Sequence, residues 1–268
     1  MDQKKVLIGS PVHQKPAILL QFLASIEALQ VSEYTVDYIF MDDNDEAQSS
    51  ALLSDFQIRH PKTLIVKSPS TTEYQRDDYT HYWREELIWK VAVMKDYMLR
   101  HAFEQGYEYV FLVDSDLVLH PRTLNHLIGT EKDIISNIFW TRWQPGTIEM
   151  PQVWLQDEYS MNVKKHNQPA SNEEKALQMF EFFAKLRIPG VYEVGGLGAC
   201  TLISRKALGA GVRFERIKNL SFWGEDRHFC IRASALGLSL YVDTHYPAYH
   251  IYRDSDLEGV AAFKQRCE

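Results

Sequence analysis

The chain has 268 residues, is 45% hydrophobic and carries a formal net charge of -7. That length and apolar content fit one large α/β domain, or one domain with an appended lobe. No basic stripe is present to track a phosphate backbone, so nucleic acid is excluded as a partner. The three cysteines, Cys200, Cys230 and Cys267, are widely spaced and odd in number, which reads as reduced thiols, two of them buried and one near the terminus. The apolar run at 6–8 is too short for a signal-peptide core, and no later run approaches a membrane-spanning length. The expected location is cytoplasmic, and a peripheral membrane contact is compatible with it.

In chain order, residues 6–8 predict a first strand that enters a loop at Gly9-Ser10-Pro11. Residues 17–29 carry Ile18, Phe22, Ile26 and Leu29 at helical spacing. A second strand at 35–41 ends in Asp42-Asp43-Asn44-Asp45, a short helix covers 47–56, and a third strand covers 63–66. Residues 68–78 are polar and without period, which predicts a loop. Residues 83–105 predict the longest helix, with Leu87, Val91, Met94, Met98 and Ala102 on one side and Gly106 placed to stop it. A fourth strand follows at 107–113.

The second half is less regular. A strand is expected at 133–139, then a rigid aromatic loop at 140–154 with three tryptophans, and a polar stretch at 159–174. A helix is expected at 173–185, an extended segment at 191–194, a strand after Ala199, a helix at 225–236, a strand at 239–242 and a short helix from 261. Strands alternating with helices predict a mostly parallel, Rossmann-like sheet with helices on both faces. Ligands in such sheets sit at the carboxyl ends of the strands, where Ser10-Pro11, Asp42-Asp43 and Asp114-Ser115-Asp116 all fall.

The most informative stretch is Tyr109 through Asp116. A continuous apolar run of strand formers, the mark of a strand buried on both faces, ends in two carboxylates one residue apart. In an extended chain such residues point the same way and can converge on a hard cation such as Mg²⁺ or Mn²⁺. The plain alternative is a polar strand end capping its turn. Asp42-Asp43 offers a carboxylate to a base edge, or is a self-bonded turn. Phe222-Trp223-Gly224-Glu225-Asp226 places two carboxylates in the first turn of a helix, where the macrodipole favours them. A carboxylate held there in a cleft is also a candidate general base, with Trp223 as a face for a sugar ring. Asp243 through His250 supplies two late histidines that could complete a cation's ligands, His250 being preferred to His245. Gly195-Gly196-Leu197-Gly198 reads as close backbone approach to a ligand, or as a bulge. His81, Arg84 and Lys90 could reach a diphosphate. No phosphate-loop, zincin or serine-hydrolase motif occurs.

In order and spacing, these features resemble the GT-A superfamily of nucleotide-diphospho-sugar glycosyltransferases over about residues 5–253. The likeness is to family-two glycosyltransferases first, and the segment from Gly195 to Asp226 is similar to Anp1-type mannosyltransferases. The resemblance implies one GT-A domain over 1–268, with a nucleotide-sugar half at 1–130 and an acceptor half, including an acceptor-side C-terminal lobe, at 131–268. It implies Asp114, Asp116 and His250 as ligands of Mn²⁺ or Mg²⁺, Asp116 being the more direct and Asp114 nearer the ribose or a metal-bound water. Pro11, Val12, Asp42, Asp43, Asp114 and Ser115 would line the nucleotide pocket, Asp43 before Asp42. Asp226, with Glu225, would be the catalytic pair, and Gly195, Gly196 and Trp223 would face the acceptor. The donor would be UDP- or GDP-linked and the acceptor a carbohydrate or other hydroxyl or amine. The sequence departs from the pattern in continuing Asp42-Asp43 with Asn44-Asp45 and in lacking an Ala-Arg-Asn segment before Asp114. A retaining mannosyltransferase-like route, a nucleotidyltransferase and a noncatalytic carbohydrate-binding protein using Trp140, Trp143 and Trp154 are the alternatives. The second would show a basic Gly-rich loop after the first strand, which is absent.

Overall fold

The computed structural model describes residues 4–68, 84–221 and 224–268. His81, Phe222, Trp223 and most of the loop expected at 68–78 lie outside the described residues. In chain order the elements are β1 (Lys5–Val12), α1 (Pro16–Glu27), β2 (Thr35–Asp42), α2 (Ala47–Arg59), β3 (Thr63–Lys67), α3 (Glu85–Glu104), β4 (Tyr109–Leu112), β5 (Leu117–Val118), α4 (Thr123–Gly129), β6 (Ile134–Thr141), β7 (Met150–Pro151) and β8 (Val153–Trp154). They continue with α5 (Asn172–Leu186), β9 (Val191–Val194), β10 (Gly196–Leu197), β11 (Thr201–Ser204), α6 (Arg205–Ala210), α7 (Glu225–Ala235), β12 (Leu240–His250), a 3₁₀ turn (Asp254–Gly259) and α8 (Val260–Arg266).

The main sheet runs β3-β2-β1-β4-β11-β6-β12-β5. Its β1, β2, β3 and β4 pair in parallel, as do β6 and β12, while β11 is antiparallel to both β4 and β6. Strands from both halves of the chain therefore share one sheet. Two apolar cores, one on each face, follow from period-two alternation. On β1, β2 and β4, Leu7, Ile39, Met41, Val110 and Leu112 pack on one face with Met94 and Met98 of α3 and Phe229 of α7. Val6, Ile8, Phe40 and Phe111 pack on the other with Phe22 of α1, Phe56 of α2 and Leu124 of α4. Strands covered on both sides have no polar face, which is why their sequences read as unbroken apolar runs.

The expected elements of the first half are all present, with shifted ends. Three expectations change in the second half. The 140–154 segment is not one loop, because it contains the end of β6 and the short β7 and β8. The strand expected at 239–242 continues to His250, so both late histidines lie on a strand. Helices α4 and α6 were not expected, being only 7 and 6 residues long and too short for a periodic signal. Cys200 and Cys230 are buried and Cys267 is partly exposed, as the spacing suggested. Among the described residues no helix is long and apolar enough to cross a membrane.

Candidate active site

The carboxyl end of β4 is where the chemistry-bearing side chains meet. After Leu112 the chain turns rather than staying extended, with the Leu117 amide donating to the Asp114 carbonyl at 3.2 Å. The pair thus lies in a turn and not on an extended strand, and Asp114 stays close enough to Asp116 and His250 for both to act on its carboxyl. Strand β5, which follows at once, pairs with β12 so that Leu117 lies opposite His250. The Ile251 amide donates to the Asp116 carbonyl at 2.9 Å and fixes this register. As a result His250 Nε2 lies 3.5 Å from Asp116 Oδ2, with side chains only 9% and 18% exposed. The other ring nitrogen of His250 is 2.8 Å from the Thr141 hydroxyl, which holds the imidazole plane. A carboxylate and an oriented imidazole so placed suit Mn²⁺ better than Mg²⁺. His245 lies elsewhere on β12, against Asp243 and His126.

Asp114 faces a small pocket that it lines with Pro11, Lys95, Gly198, Thr201 and Asp226. Burial pushes its carboxyl up to about 6, with Lys95 opposing and Asp116 and Glu225 adding to the rise. Across this pocket Lys95 Nζ donates to Glu225 Oε1 at 2.8 Å and to Asp226 Oδ1 at 3.0 Å. Burial works against the Lys95 charge, yet the Asp226 and Glu225 carboxylates hold it protonated well above the usual lysine range. Burial likewise raises Asp226 to about 7, with Lys95 pulling it down and Glu225 and Asp114 pushing it up. A carboxylate near neutrality in a cleft is what proton abstraction from a hydroxyl requires.

The start of α7 explains how these carboxylates are presented. Gly224 has φ of 99° at the helix N-cap, and a Cβ there would sit 2.7 Å from the Tyr159 hydroxyl. Arg227, 3% exposed, grips the Asp157 carboxylate with two nitrogens and so ties the 155–160 loop to α7.

Asp42 is 3% exposed, and its carboxylate is engaged by Lys67 at 2.6 Å, Asn44 and Ser50. Burial would raise it, but these partners hold it below the usual range. Asp43 meets Lys90 at 2.6 Å and His13 at 3.6 Å, and is also held low against the effect of burial. Lys90, expected near a diphosphate, thus serves Asp43. Val12 is fully buried in the core, so only its backbone can face a ligand, and Ser115 is 6% exposed on the turn. The close approach expected at Gly195 and Gly196 is made by the protein itself: a Cβ would lie 2.1 Å from the Leu155 carbonyl oxygen or 2.0 Å from the Trp154 ring. Those glycines are required by the pairing of β10 with β8. Trp154 is 3% exposed and belongs to the core, and Arg187 covers the Trp140 ring at 3.6 Å, which removes two of the three stacking platforms imagined for a noncatalytic binder.

Lys95 was missed by sequence reading. Its signal was present: Val91, Lys95, Met98 and Ala102 are spaced 4, 3 and 4 apart, so a lysine sits within the inward stripe of α3. Beside His250 lies a groove of about 920 Å³, lined among others by Trp140, Arg142, Tyr246, Tyr252 and Arg253.

No protein-family model matches the chain, and no curated protein matches it. Solved structures do match in fold. The structure of S. aureus TarS 1-349 aligns with a TM-score of 0.52 at 12% identity, over 91% of this chain and 60% of that one. The structure of GalNAc-T7 with UDP, GalNAc and Mn²⁺ aligns with a TM-score of 0.57 at 12% identity, over 93% of this chain and 43% of that one. The chain therefore has the mixed α/β fold of glycosyltransferases, with a mostly parallel central sheet flanked by helices, and spans about half the length of these neighbours.

Proposed function

We propose that this chain is a glycosyltransferase that moves a sugar from a nucleoside-diphosphate sugar to an acceptor hydroxyl or amine. The observation that carries the reading is the meeting, about Asp114 beyond the carboxyl end of β4, of the Asp116–His250 couple with the Lys95-bridged Glu225 and Asp226. The fold shared with glycosyltransferases supports it, as does the presence of UDP and Mn²⁺ in one neighbour. The donor half is 1–130, with Pro11, Val12, Asp42, Asp43, Asp114 and Ser115 toward the nucleotide. Asp116 and His250 would hold the divalent ion, with Asp114 beside them. When bound, that ion offsets the negative charge of the departing diphosphate.

Asp226 takes the proton from the acceptor oxygen or nitrogen as it attacks the anomeric carbon. The bond from that carbon to the diphosphate oxygen breaks, and the nucleoside diphosphate leaves with the electron pair. One displacement inverts the centre. Lys95 fixes the orientation of Asp226 and keeps it from drifting to a pKa too high for its task.

The test is transfer or donor hydrolysis with UDP- and GDP-sugars and Mn²⁺, in the native chain and in Asp226→Asn. The variant is expected to lose about 10²–10⁴-fold in kcat with donor binding intact. Full activity in the variant, or retention of the anomeric configuration, removes Asp226 from the role of base.

A further inference from the structure

Away from Asp116 and His250, three other side chains converge. Asp243 and His245 of β12 meet His126 of α4, with His126 Nε2 at 2.9 Å and His245 Nδ1 at 2.8 Å from Asp243 Oδ2. The two ring nitrogens are 3.2 Å from each other. Among the described residues these are the three that bring His, Cys, Asp or Glu ligand atoms within 4.8 Å of one another.

Hydrogen bonds alone do not close this triangle. An ionised carboxylate has no hydrogen to give and each ring nitrogen carries at most one, so at most two of the three edges can be donor–acceptor pairs. A cation in contact with all three atoms satisfies every edge. Tetrahedral zinc with bonds of about 2.0–2.1 Å puts its ligand atoms about 3.3 Å apart, which matches the 3.2 Å between the ring nitrogens and asks the two imidazoles to draw back slightly from the carboxylate, at 2.8 and 2.9 Å. Charge points the same way. Asp243 is wholly buried, and its partners are the two imidazoles and the His245 amide, with no lysine or arginine among the described residues. That amide, 3.0 Å from Asp243 Oδ1, orients the carboxylate from behind, as outer partners of metal ligands do. His126 and His245 are 32% and 36% exposed, so the open side of the cluster is reachable from solvent, and His245 lines the same groove as His250.

We propose that His126, Asp243 and His245 form a second cation site, selective for a borderline first-row ion such as Zn²⁺ or Co²⁺. Two imidazoles and one carboxylate favour those ions over Mg²⁺. An ion held by these three residues would tie α4 to β12. This inference does not rest on the reading of Asp226 or of the sugar donor.

The experiment is Co²⁺ titration of the full chain, read by visible d–d absorption, together with Zn²⁺ stoichiometry by elemental analysis and thermal unfolding with and without Zn²⁺. All are done in the Asp116→Ala/His250→Ala background, so that the other cation couple is silent. One equivalent per chain, a tetrahedral cobalt spectrum and a rise in Tm are expected there. Adding His126→Ala or His245→Ala, both partly exposed, should weaken binding at least about tenfold and abolish the Tm rise. Undiminished binding in those variants, or no ion bound at micromolar concentration in the background chain, overturns the proposal.

Discussion

Lys95 Nζ donates at once to Glu225 Oε1 at 2.8 Å and to Asp226 Oδ1 at 3.0 Å, joining the middle of α3 to the first turn of α7. The lysine is 4% exposed and the two carboxylates 12% and 24%. Removing one member of a buried ionic group leaves the others uncompensated, at a cost of about 3–5 kcal/mol. Lys95→Met is expected to lose about that much at pH 8. Without the ammonium that opposes it, the Asp226 pKa stays above its unfolded value, so the stability this group contributes is present at low pH and lost as pH rises. The loss in Lys95→Met should therefore be smaller at pH 5 than at pH 8. Urea unfolding at both values checks it, and equal losses would mean that the carboxylates do not depend on Lys95.

The raised pKa of Asp226, about 7, sets the pH profile of the proposed reaction. A base must be ionised, so kcat/KM should climb through about pH 7 and level off above it. Lys95→Met removes the group that lowers this pKa and leaves burial and the neighbouring carboxylates that raise it. The rising limb should move upward by about one unit or more. A limb that stays in place in the variant would assign the titration to another group.

Asp116 and His250 predict how the activity depends on added ion. Chelation should abolish transfer and Mn²⁺ should restore it. Asp116→Ala and His250→Ala should each raise the Mn²⁺ concentration needed for half-maximal rate by about 10–100-fold. Thr141→Val, which frees the far side of the imidazole, should raise it less. Activity that is insensitive to chelation, or Mn²⁺ dependence unchanged in both alanine variants, would remove the ion from this couple.

Gly196→Ala would drive a methyl to within 2.0 Å of the buried Trp154 ring, and should cost about 1–3 kcal/mol or more through overpacking. Gly129, at the end of α4, has nothing within 4 Å of the same methyl, and Gly129→Ala should leave stability unchanged or slightly increased. Denaturant midpoints of the two variants make the comparison. Equal midpoints would mean that β8 yields freely at Trp154.

How far the sequence foretold this arrangement follows from what each element is made of. β1, β2, β4 and α3 were legible because two-sided burial writes unbroken apolar runs and a one-sided helix writes a stripe. α4, α6 and the two-residue strands were not, since pairing fixed by distant partners leaves no local period. The site shows the same division. Asp114, Asp116, Glu225 and Asp226 stood out as carboxylates at element ends. Their geometry depended on the β5–β12 pairing, which brings Asp116 to His250, and on α3, which sets Lys95 in the pocket that Asp114 lines. Lys95 was hidden because a lysine on a helix is ordinarily read as a solvated one. The cluster of His126, Asp243 and His245 was invisible for another reason: one member lies on a short helix 117 residues away from Asp243.

The central claim is that a nucleoside diphosphate binds with a divalent ion at the carboxyl end of β4. Calorimetric titration of UDP and of GDP into the native chain, with and without Mn²⁺, tests it most directly, with Asp116→Ala alongside. The account predicts micromolar binding of one of the two nucleotides that needs Mn²⁺ and is lost in Asp116→Ala. No heat from either nucleotide, or equal binding in Asp116→Ala, would contradict it.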